Sequence, residues 1–154
     1  MFKNLKHYTD SINYELEKTA RVMRMLGMQL FEKLNIDLLL DEYVALDTIS
    51  CNEGICQRDL AKLIIKDRAN TGRILNSLEE KGLVTRFVDT KNNRLVRKMS
   101  ITKKGFDRLI NINKKVESYL AEVTRVVSEE EINAVHASLK KLRESFESLI
   151  DFKI

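Results

Sequence analysis

Residues 59–105 read DLAKLIIKDRANTGRILNSLEEKGLVTRFVDTKNNRLVRKMSITKKG, and this stretch decides the fold. Its first half predicts two short helices joined by a turn at Lys66, because Asp67 is a good N-cap for a helix that ends near Lys81. Gly82 follows where a left-handed helix terminator is expected. The residues after it become rich in β-branched, aromatic and alternating side chains around a polar turn. The stretch therefore predicts a helix-turn-helix followed by a β-hairpin, or wing, with strands at residues 83–88 and 94–101.

Helices surround this centre on both sides. Apolar residues recur every three or four positions between Asp10 and Leu34, which predicts a long first helix. A second, a fifth and a sixth helix are expected to begin at residues with good capping side chains, which are Asp41, Thr102 and Ser128. Residues 51–56 are typical of a connector, and the fifth helix is expected to end near Val127. The predicted fold is mainly α with a small β-hairpin wing, in the order α-α-α-α-β-β-α-α.

The chain of 154 residues is expected to form a single domain. Within it, residues 41–105 form the winged helix-turn-helix region, and residues 1–40 and 106–154 form a helical dimerisation region. Apolar residues of the sixth helix repeat at the 3-4 spacing of a heptad stripe, at Ile132, Val135, Leu139, Leu142, Phe146 and Leu149. A thin outer layer of helices cannot hide this surface, so we expect a two-fold homodimer that buries it.

The charge is distributed unevenly along the chain. Residues 56–108 hold 14 Lys and Arg against 6 Asp and Glu, a net charge of +8, whereas the remainder holds 13 against 17, a net charge of −4. A basic centre on a less basic scaffold favours a surface that faces a polyanion. No run of apolar residues approaches the length of a membrane span, and the opening residues lack the apolar region of a signal peptide. With only two cysteines, the expectation is a cytoplasmic protein that does not associate with membranes.

The second helix of the helix-turn-helix carries side chains that can read bases. Near its start stand Arg68, Asn70, Thr71 and Arg73. Arg and Asn bond bidentately to guanine and adenine, and Thr can bond either base. Taken alone, this pattern is more typical of a solvated helix face. The wing adds further cations, Lys91, Arg94, Arg97 and Lys98, although an ordinary edge hairpin also carries such residues to block aggregation. Together, the polar start of this helix and the basic wing favour binding to double-stranded DNA.

At these residues the chain resembles the MarR family of bacterial transcription regulators. The resemblance rests on the central fifty residues, with the runs 59–62, 66–75 and 78–84, then Arg86, Asp89, Arg94 and 102–105. It implies a homodimeric winged helix-turn-helix protein whose outer helices dimerise. Many members of the family lose DNA affinity when a small ligand or an oxidant acts. By position, Arg68, Asn70, Thr71 and Arg73 would belong to the recognition helix. Arg94 would be the wing arginine and Arg86 a supporting residue at the base of the wing.

Three positions depart from the family pattern. The wing usually reads Asp-x-x-Asp-x-Arg, and Asn92 replaces the second acid, so a carboxylate that could orient Arg94 is lost. Gly72 stands where Ser or Thr is frequent, at a cost to the helix of about 1 kcal/mol relative to Ala. Ile65 occupies a turn position at which many members have glycine, so the turn is expected to differ slightly.

Two cysteines stand five residues apart across a connector that contains Gly54. Cys51 and Cys56 could approach within disulfide range, and Cys56 lies near a helix start that would favour its thiolate. A redox role is one interpretation, and two small buried hydrophobic residues are the other.

The first helix offers a candidate ligand pocket. Its methionines, Met23, Met25 and Met28, suit an adaptable cavity, although a methionine stripe at helical spacing is more often plain core. Arg21, Arg24 and Tyr43 could supply polar groups for a small anionic or aromatic effector held with Met25 and Met28.

Enzymatic functions are disfavoured. His7 and His136 are too few and too far apart for a His-based metal site, and neither a phosphate-binding glycine loop nor a nucleophile elbow is present in the sequence. We expect no catalytic residues, no metal and no cofactor. The predicted function is a DNA-binding transcriptional regulator, a homodimeric repressor released from an inverted-repeat operator by a ligand or oxidant. The alternatives are a winged-helix module for protein–protein contact and a transcriptional activator.

Overall fold

The computed structural model describes residues 6–91 and 93–150, and the side chains of these residues except those of Lys91 and residues 122–124. Asn92, the departure from the family's wing pattern, lies outside the described residues. The predicted role of Lys91 depends on a side chain that also lies outside them.

The described residues form six α-helices, two short 3-10 helices (Tyr8–Asp10 and Thr124–Val126) and three strands. The helices are α1 (Ile12–Lys33), α2 (Leu40–Cys51), α3 (Gln57–Leu63), α4 (Arg68–Glu80), α5 (Lys103–Val123) and α6 (Glu129–Glu147). The strands are β1 (Ile55–Cys56), β2 (Val84–Lys91) and β3 (Arg94–Ile101). This arrangement confirms the predicted fold class, and β1 is an addition to it. The predicted connector at residues 51–56 ends in this strand.

The capping residues explain where most helices begin. The Asp67 side chain accepts a hydrogen bond from the Asn70 backbone N–H at 2.8 Å, which confirms it as the cap of α4. Ser128 and Glu131 form the predicted capping box before α6. The prediction that Asp41 caps α2 is wrong, because the helix begins at Leu40 and Asp41 lies in its first turn.

The sheet has the order β1-β3-β2 and is antiparallel throughout. Val84 pairs with Ile101 at the base of the wing, and Lys91 pairs with Arg94 at its tip. Helix α5 packs tightly against the base, since a Cβ atom added at Gly105 would lie 2.1 Å from the Leu83 carbonyl oxygen. Only glycine fits this approach, which fixes α5 against the wing.

The core lies between α2, α4, the base of the sheet and the first half of α5. Its largest fully buried side chains are Leu46, Ile49, Leu60, Leu75, Leu78, Met99 and Ile112. Because α4 and β2 both contribute to this core, the helix-turn-helix and the wing are held as one unit.

The outer helices leave apolar side chains uncovered in the single chain. Helix α6 buries none of its residues, and Val135 and Phe146 are 56% and 44% exposed. The prediction that the α1 methionines are plain core is wrong within one chain, because Met23, Met25 and Met28 are all more than half exposed. An exposed apolar surface of this extent on two helices indicates a contact surface.

Candidate nucleic-acid interface

The start of α4 presents three polar side chains to solvent: Arg68, Asn70 and Arg73. Asn70 is also tied to the cap, since its side-chain amide donates to Asp67 Oδ2 at 2.5 Å. The hydrogen bond from the Asn70 backbone N–H, followed by that from its side chain, holds the pKa of Asp67 below its usual value. The first turn of α4 is therefore well fixed, and its two arginines extend from a rigid base.

Thr71 does not belong to this exposed set. It is fully buried, and its Oγ1 donates to the Asp67 carbonyl oxygen at 2.8 Å. Reaching a base would require the side chain to leave the core, so the expectation that Thr71 contacts DNA is wrong. Its position was visible in the sequence, because Thr71, Leu75 and Leu78 recur at the 4-3 spacing of one buried helix face.

The turn between α3 and α4 depends on Ile65 and Lys66. Ile65 has φ of +52°, the left-handed conformation that a glycine at this position would adopt freely. A β-branched residue adopts it at a cost of about 1–3 kcal/mol. The turn therefore has the backbone conformation that a glycine would adopt. The departure from the family pattern at Ile65 strains the turn but does not change its path.

An ion-pair network fastens this turn to the outer helices. Lys66 Nζ lies 3.0 Å from Asp41, and the Arg24 guanidinium donates to both oxygens of the same carboxylate at 2.9 and 3.1 Å. The hydrogen bond from Arg24 is the main reason that the pKa of Asp41 lies below its usual value. Asp41 thereby links α1, α2 and the helix-turn-helix turn.

The base of the wing is anchored to α4 through Arg86. Its guanidinium donates to Asn76 Oδ1 at 2.5 Å, and its Nε lies 3.4 Å from Glu79 Oε2. Only 15% of the Arg86 side chain is exposed, so it is poorly placed to contact a ligand directly. This placement agrees with the supporting role expected for Arg86.

The tip of the wing leaves Arg94 available. Asp89, the acid retained in the wing, accepts from Lys98 Nζ at 2.5 Å and from the Thr90 N–H at 2.7 Å. The bond from Lys98 is the main cause that lowers the pKa of Asp89. Arg94 is exposed and forms no ion pair with any residue that the structure describes. Its guanidinium is therefore free to meet an external anion.

A basic groove lies between α3 and the wing, and Arg68 at the start of α4 also lines it. It has a volume of about 720 Å³ and is lined by five cationic residues, which are Arg58, Lys62, Arg68, Arg94 and Arg97. Cys56, Gln57, Asp59 and Val96 complete its walls. The sequence reasoning missed Arg58 and Lys62 as members of the site. Their spacing of four on α3 was a usable signal, because it places both on one helix face.

The cysteines are both free thiols. Cys51 is exposed at the end of α2, so the interpretation of two buried hydrophobic residues is wrong for Cys51. Cys56 is half-buried in the groove wall, where its thiol donates to Asp59 Oδ2 at 3.1 Å. A redox role for the pair stays a prediction.

The structure does not bring the predicted ligand residues together. Arg21 pairs with Glu17, Arg24 pairs with Asp41, and Met25 and Met28 are exposed. Tyr43 alone lines a cavity, of about 470 Å³, with α5 residues that include Asn113. The Tyr43 hydroxyl donates to Asn113 Oδ1 at 2.8 Å, and burial raises its pKa. An effector site at Tyr43 would therefore be formed together with α5. The other four residues predicted for the pocket, Arg21, Arg24, Met25 and Met28, do not line this cavity.

The comparison with known proteins agrees with this geometry. Residues 38–96 match the sequence profile of the MarR family. The HTH-type transcriptional regulator YybA of Bacillus subtilis is 27% identical over 113 residues, which cover 73% of this chain and 75% of YybA. The solved structure of the transcriptional regulator SlyA has a TM-score of 0.73 at 26% identity, over 90% of this chain and 95% of SlyA. Residues 38–96 of the chain therefore resemble the MarR family.

A further solved structure shares the fold of this chain. The DNA complex of MepR from S. aureus matches with a TM-score of 0.70 at 21% identity, over 91% of this chain and 99% of MepR. The resemblance to the MarR family and the winged-helix fold class are thus confirmed. The fold is that of the transcriptional regulator SlyA.

Two further observations concern other classes of site in this protein. Within the described residues, no three His, Cys, Asp or Glu side chains gather into a group that could hold a metal ion. None of the helices in the part of the chain that the structure describes is long and apolar enough to span a bilayer.

Proposed function

We propose that this protein is a cytoplasmic homodimeric repressor that binds an inverted-repeat operator through α4 and the wing of each subunit. The observation that carries the proposal is the exposed basic surface at the start of α4 and along the wing, with Arg68, Asn70, Arg73 and Arg94 directed to solvent. In a helix-turn-helix the second helix enters the major groove and its first turns reach base edges. MepR, which shares the fold, was solved bound to DNA, and this supports the same mode here.

The dimer is proposed from the uncovered apolar faces of α1 and α6. Two-fold pairing buries such faces on both copies at once, and it spaces the two recognition helices to match the symmetry of an inverted repeat. Release by a small aromatic effector is proposed for the cavity beside Tyr43 and Asn113, which offers apolar walls and three polar side chains. The third is that of Glu117, and its negative charge disfavours the anionic effector that was the other expectation.

In vitro selection of bound duplexes from a random pool tests the operator. The expected result is an enriched inverted repeat with half-sites about 10 base pairs apart, centre to centre. Inserting half a helical turn between the half-sites should abolish tight binding, because the second recognition helix then faces the wrong side of the duplex. Equal affinity for selected and scrambled duplexes would favour a winged-helix module for protein–protein contact in place of an operator-binding regulator.

The sign of regulation needs a separate measurement. In vitro transcription from a promoter that carries the selected site should fall when the protein is added and recover with an active effector. A rise in transcription would make the protein an activator.

A further inference from the structure

We infer that Asn76, in the third turn of α4, reads a guanine of the operator with an amide group that Arg86 holds in one orientation. This inference rests on the proposed function. It gives a role to an exposed polar residue that lies beyond Arg68, Asn70 and Arg73 on the same helix. It also predicts a base other than adenine, the usual partner of asparagine in the major groove.

Asn76 lies on the exposed side of α4. It follows Arg73 by three positions and Gly72 by four, so these residues share one face of the helix. With Ala69 they repeat the spacing of three, one and three at which the recognition helix of a homeodomain carries its base-reading side chains. The buried residues of α4 lie on the other side, and these are Thr71, Leu75 and Leu78. A helix that reads bases with Arg73 therefore also brings Asn76 to the major groove.

The wing determines which atom of the Asn76 amide faces outward. The Arg86 guanidinium donates to Asn76 Oδ1 at 2.5 Å, and Arg86 is itself largely buried beside Glu79. A guanidinium has no acceptor, so only the carbonyl oxygen of the amide can face it. The N–H groups of the Asn76 amide are thereby turned away from Arg86, and they donate to no residue that the structure describes.

An amide fixed in this way can only donate to a base. The bidentate contact of asparagine with adenine needs a donor and an acceptor, because adenine presents its N7 acceptor beside an amino group. Guanine presents two acceptors, O6 and N7, and one nitrogen with several N–H bonds can serve both, as that of lysine does. Thymine presents a single acceptor, and cytosine presents only a donor. Asn76 should therefore favour guanine.

Gly72 leaves room for a base edge beside this amide. Side chains of a helix point towards its N-terminus, so the surface next to Asn76 is that of the residue four positions earlier. That residue is Gly72, and the nearest atom to a Cβ added there would be Gln57 Nε2 of α3, at 3.4 Å. The glycine that weakens the helix thus keeps the approach to Asn76 free of a side chain.

Parallel selections from a random pool locate the contact. The wild type and Asn76→Ala are compared, and Asn76 reads the symmetric position at which Asn76→Ala loses its preference. The wild type should select guanine there and bind it about tenfold more tightly than adenine per half-site, or about a hundredfold when both half-sites change. Any other base at that position, or no position that depends on Asn76, would overturn the inference.

A guanine analogue in which carbon replaces N7 tests the contact itself. It removes one of the two acceptors and leaves the base pair intact, so it should weaken the wild type and leave Asn76→Ala unaffected. Equal weakening of the two proteins would show that another side chain reads this guanine.

Asn76→Asp separates base reading from a purely structural role. The carboxylate has the shape of the amide and keeps an oxygen for Arg86, so the link between α4 and the wing is retained. Its outward atom is an acceptor in place of a donor, and the preference for guanine should be lost. The preference is a ratio between duplexes of equal charge, and Asn111→Asp, which adds the same charge on α5, should leave it unchanged. An unchanged ratio in Asn76→Asp would mean that Asn76 only anchors the wing.

The positioning role of Arg86 has a test of its own. Arg86→Met keeps an unbranched side chain and removes the donors, which leaves the Asn76 amide free to turn and accept adenine. The preference for guanine over adenine should fall from about tenfold towards equality, while binding still depends on Asn76. A preference that stays the same in Arg86→Met would show that Arg86 does not orient the amide. Failure of any duplex to be selected by the wild type would instead remove the proposed function.

Discussion

Thr71 and Arg73, two residues apart near the start of α4, have opposite surroundings, so their substitution should have different effects. Arg73 is exposed on the proposed DNA side, whereas Thr71 is fully buried against the core. Arg73→Ala should cost about 1–3 kcal/mol of binding free energy per half-site and relax preference at one symmetric base pair. Thr71→Ala should lower the free energy of unfolding and leave base preference unchanged. Fluorescence anisotropy on single-base operator variants and urea unfolding measure the two effects. A change of base preference in Thr71→Ala would contradict the assignment.

At the same scale, Glu42 is a buried carboxylate that joins α2 to the end of α4. It is 2% exposed, and it accepts from Lys81 Nζ and the Leu39 N–H, both at 2.8 Å, and from Ser77 Oγ. Burial raises its pKa, but the bonds from Lys81, Ser77 and Leu39 outweigh this and leave the pKa below the usual 4.5.

Glu42→Gln should therefore lower the free energy of unfolding by about 1–3 kcal/mol at neutral pH. Because the folded-state pKa is depressed, the carboxylate stabilises the fold above about pH 4.5. That contribution is lost as the pH falls through the lower folded-state value. Urea unfolding of both proteins between neutral and acidic pH should show the difference shrinking towards low pH. A difference that does not depend on pH would show that the charge of Glu42 is not what stabilises the fold.

At the scale of elements, the network around Asp41 should transmit the position of α1 and α2 to the helix-turn-helix turn. Asp41→Asn removes the negative charge that pairs with Arg24 and Lys66. The pair with Arg24 is bidentate, and the side chains of both cations are partly exposed. We expect weaker operator binding with an unchanged salt slope, because no phosphate contact is removed. Glu17→Gln is the matched control, since it breaks the pair with Arg21 on α1 without reaching the turn. Anisotropy at several salt concentrations tests both variants, and equal affinities would contradict the positioning role.

Elements were predictable where a local signal specifies them. Asp67 caps the start of α4 as expected, and Gly82, just after its end, has the expected left-handed conformation. Strand β1 was missed because two residues cannot show a period-2 pattern, and its identity comes from pairing with Met99 and Lys98 in β3. The cap of α2 was misplaced because Glu42 reaches back to the Leu39 N–H, which makes the helix begin before Asp41.

The exposed side chains of the proposed interface were also predictable from a local signal. Helical periodicity places Arg68, Asn70 and Arg73 outside, and the same periodicity would have placed Thr71 inside had it been applied to that residue. The groove was not predictable, because it forms only where β3 approaches α3 in three dimensions. The same holds for Asp41, whose two partners lie 17 and 25 positions away in the sequence.

At the scale of the whole molecule, the proposed dimer depends on the uncovered apolar faces of α1 and α6. Deleting the residues after Val127 should weaken dimerisation, because it removes the apolar stripe of α6. A variant of full length, Val135→Asp with Leu139→Asp, should do the same, since both side chains are exposed in the single chain. Light scattering over a range of protein concentrations measures the dissociation.

The control for this prediction places the same charges on another face of the same helix. His136→Asp with Lys140→Asp introduces two carboxylates at the same spacing, and it should leave the dimer intact. A dimer engages its second half-site at a high effective concentration, so a monomer should lose far more affinity for the complete operator than for one half-site. If the truncated chain and the Val135→Asp, Leu139→Asp variant both remain stable dimers, α6 is not an important dimer element. The two recognition helices would then have to be spaced by α1 and α5 alone.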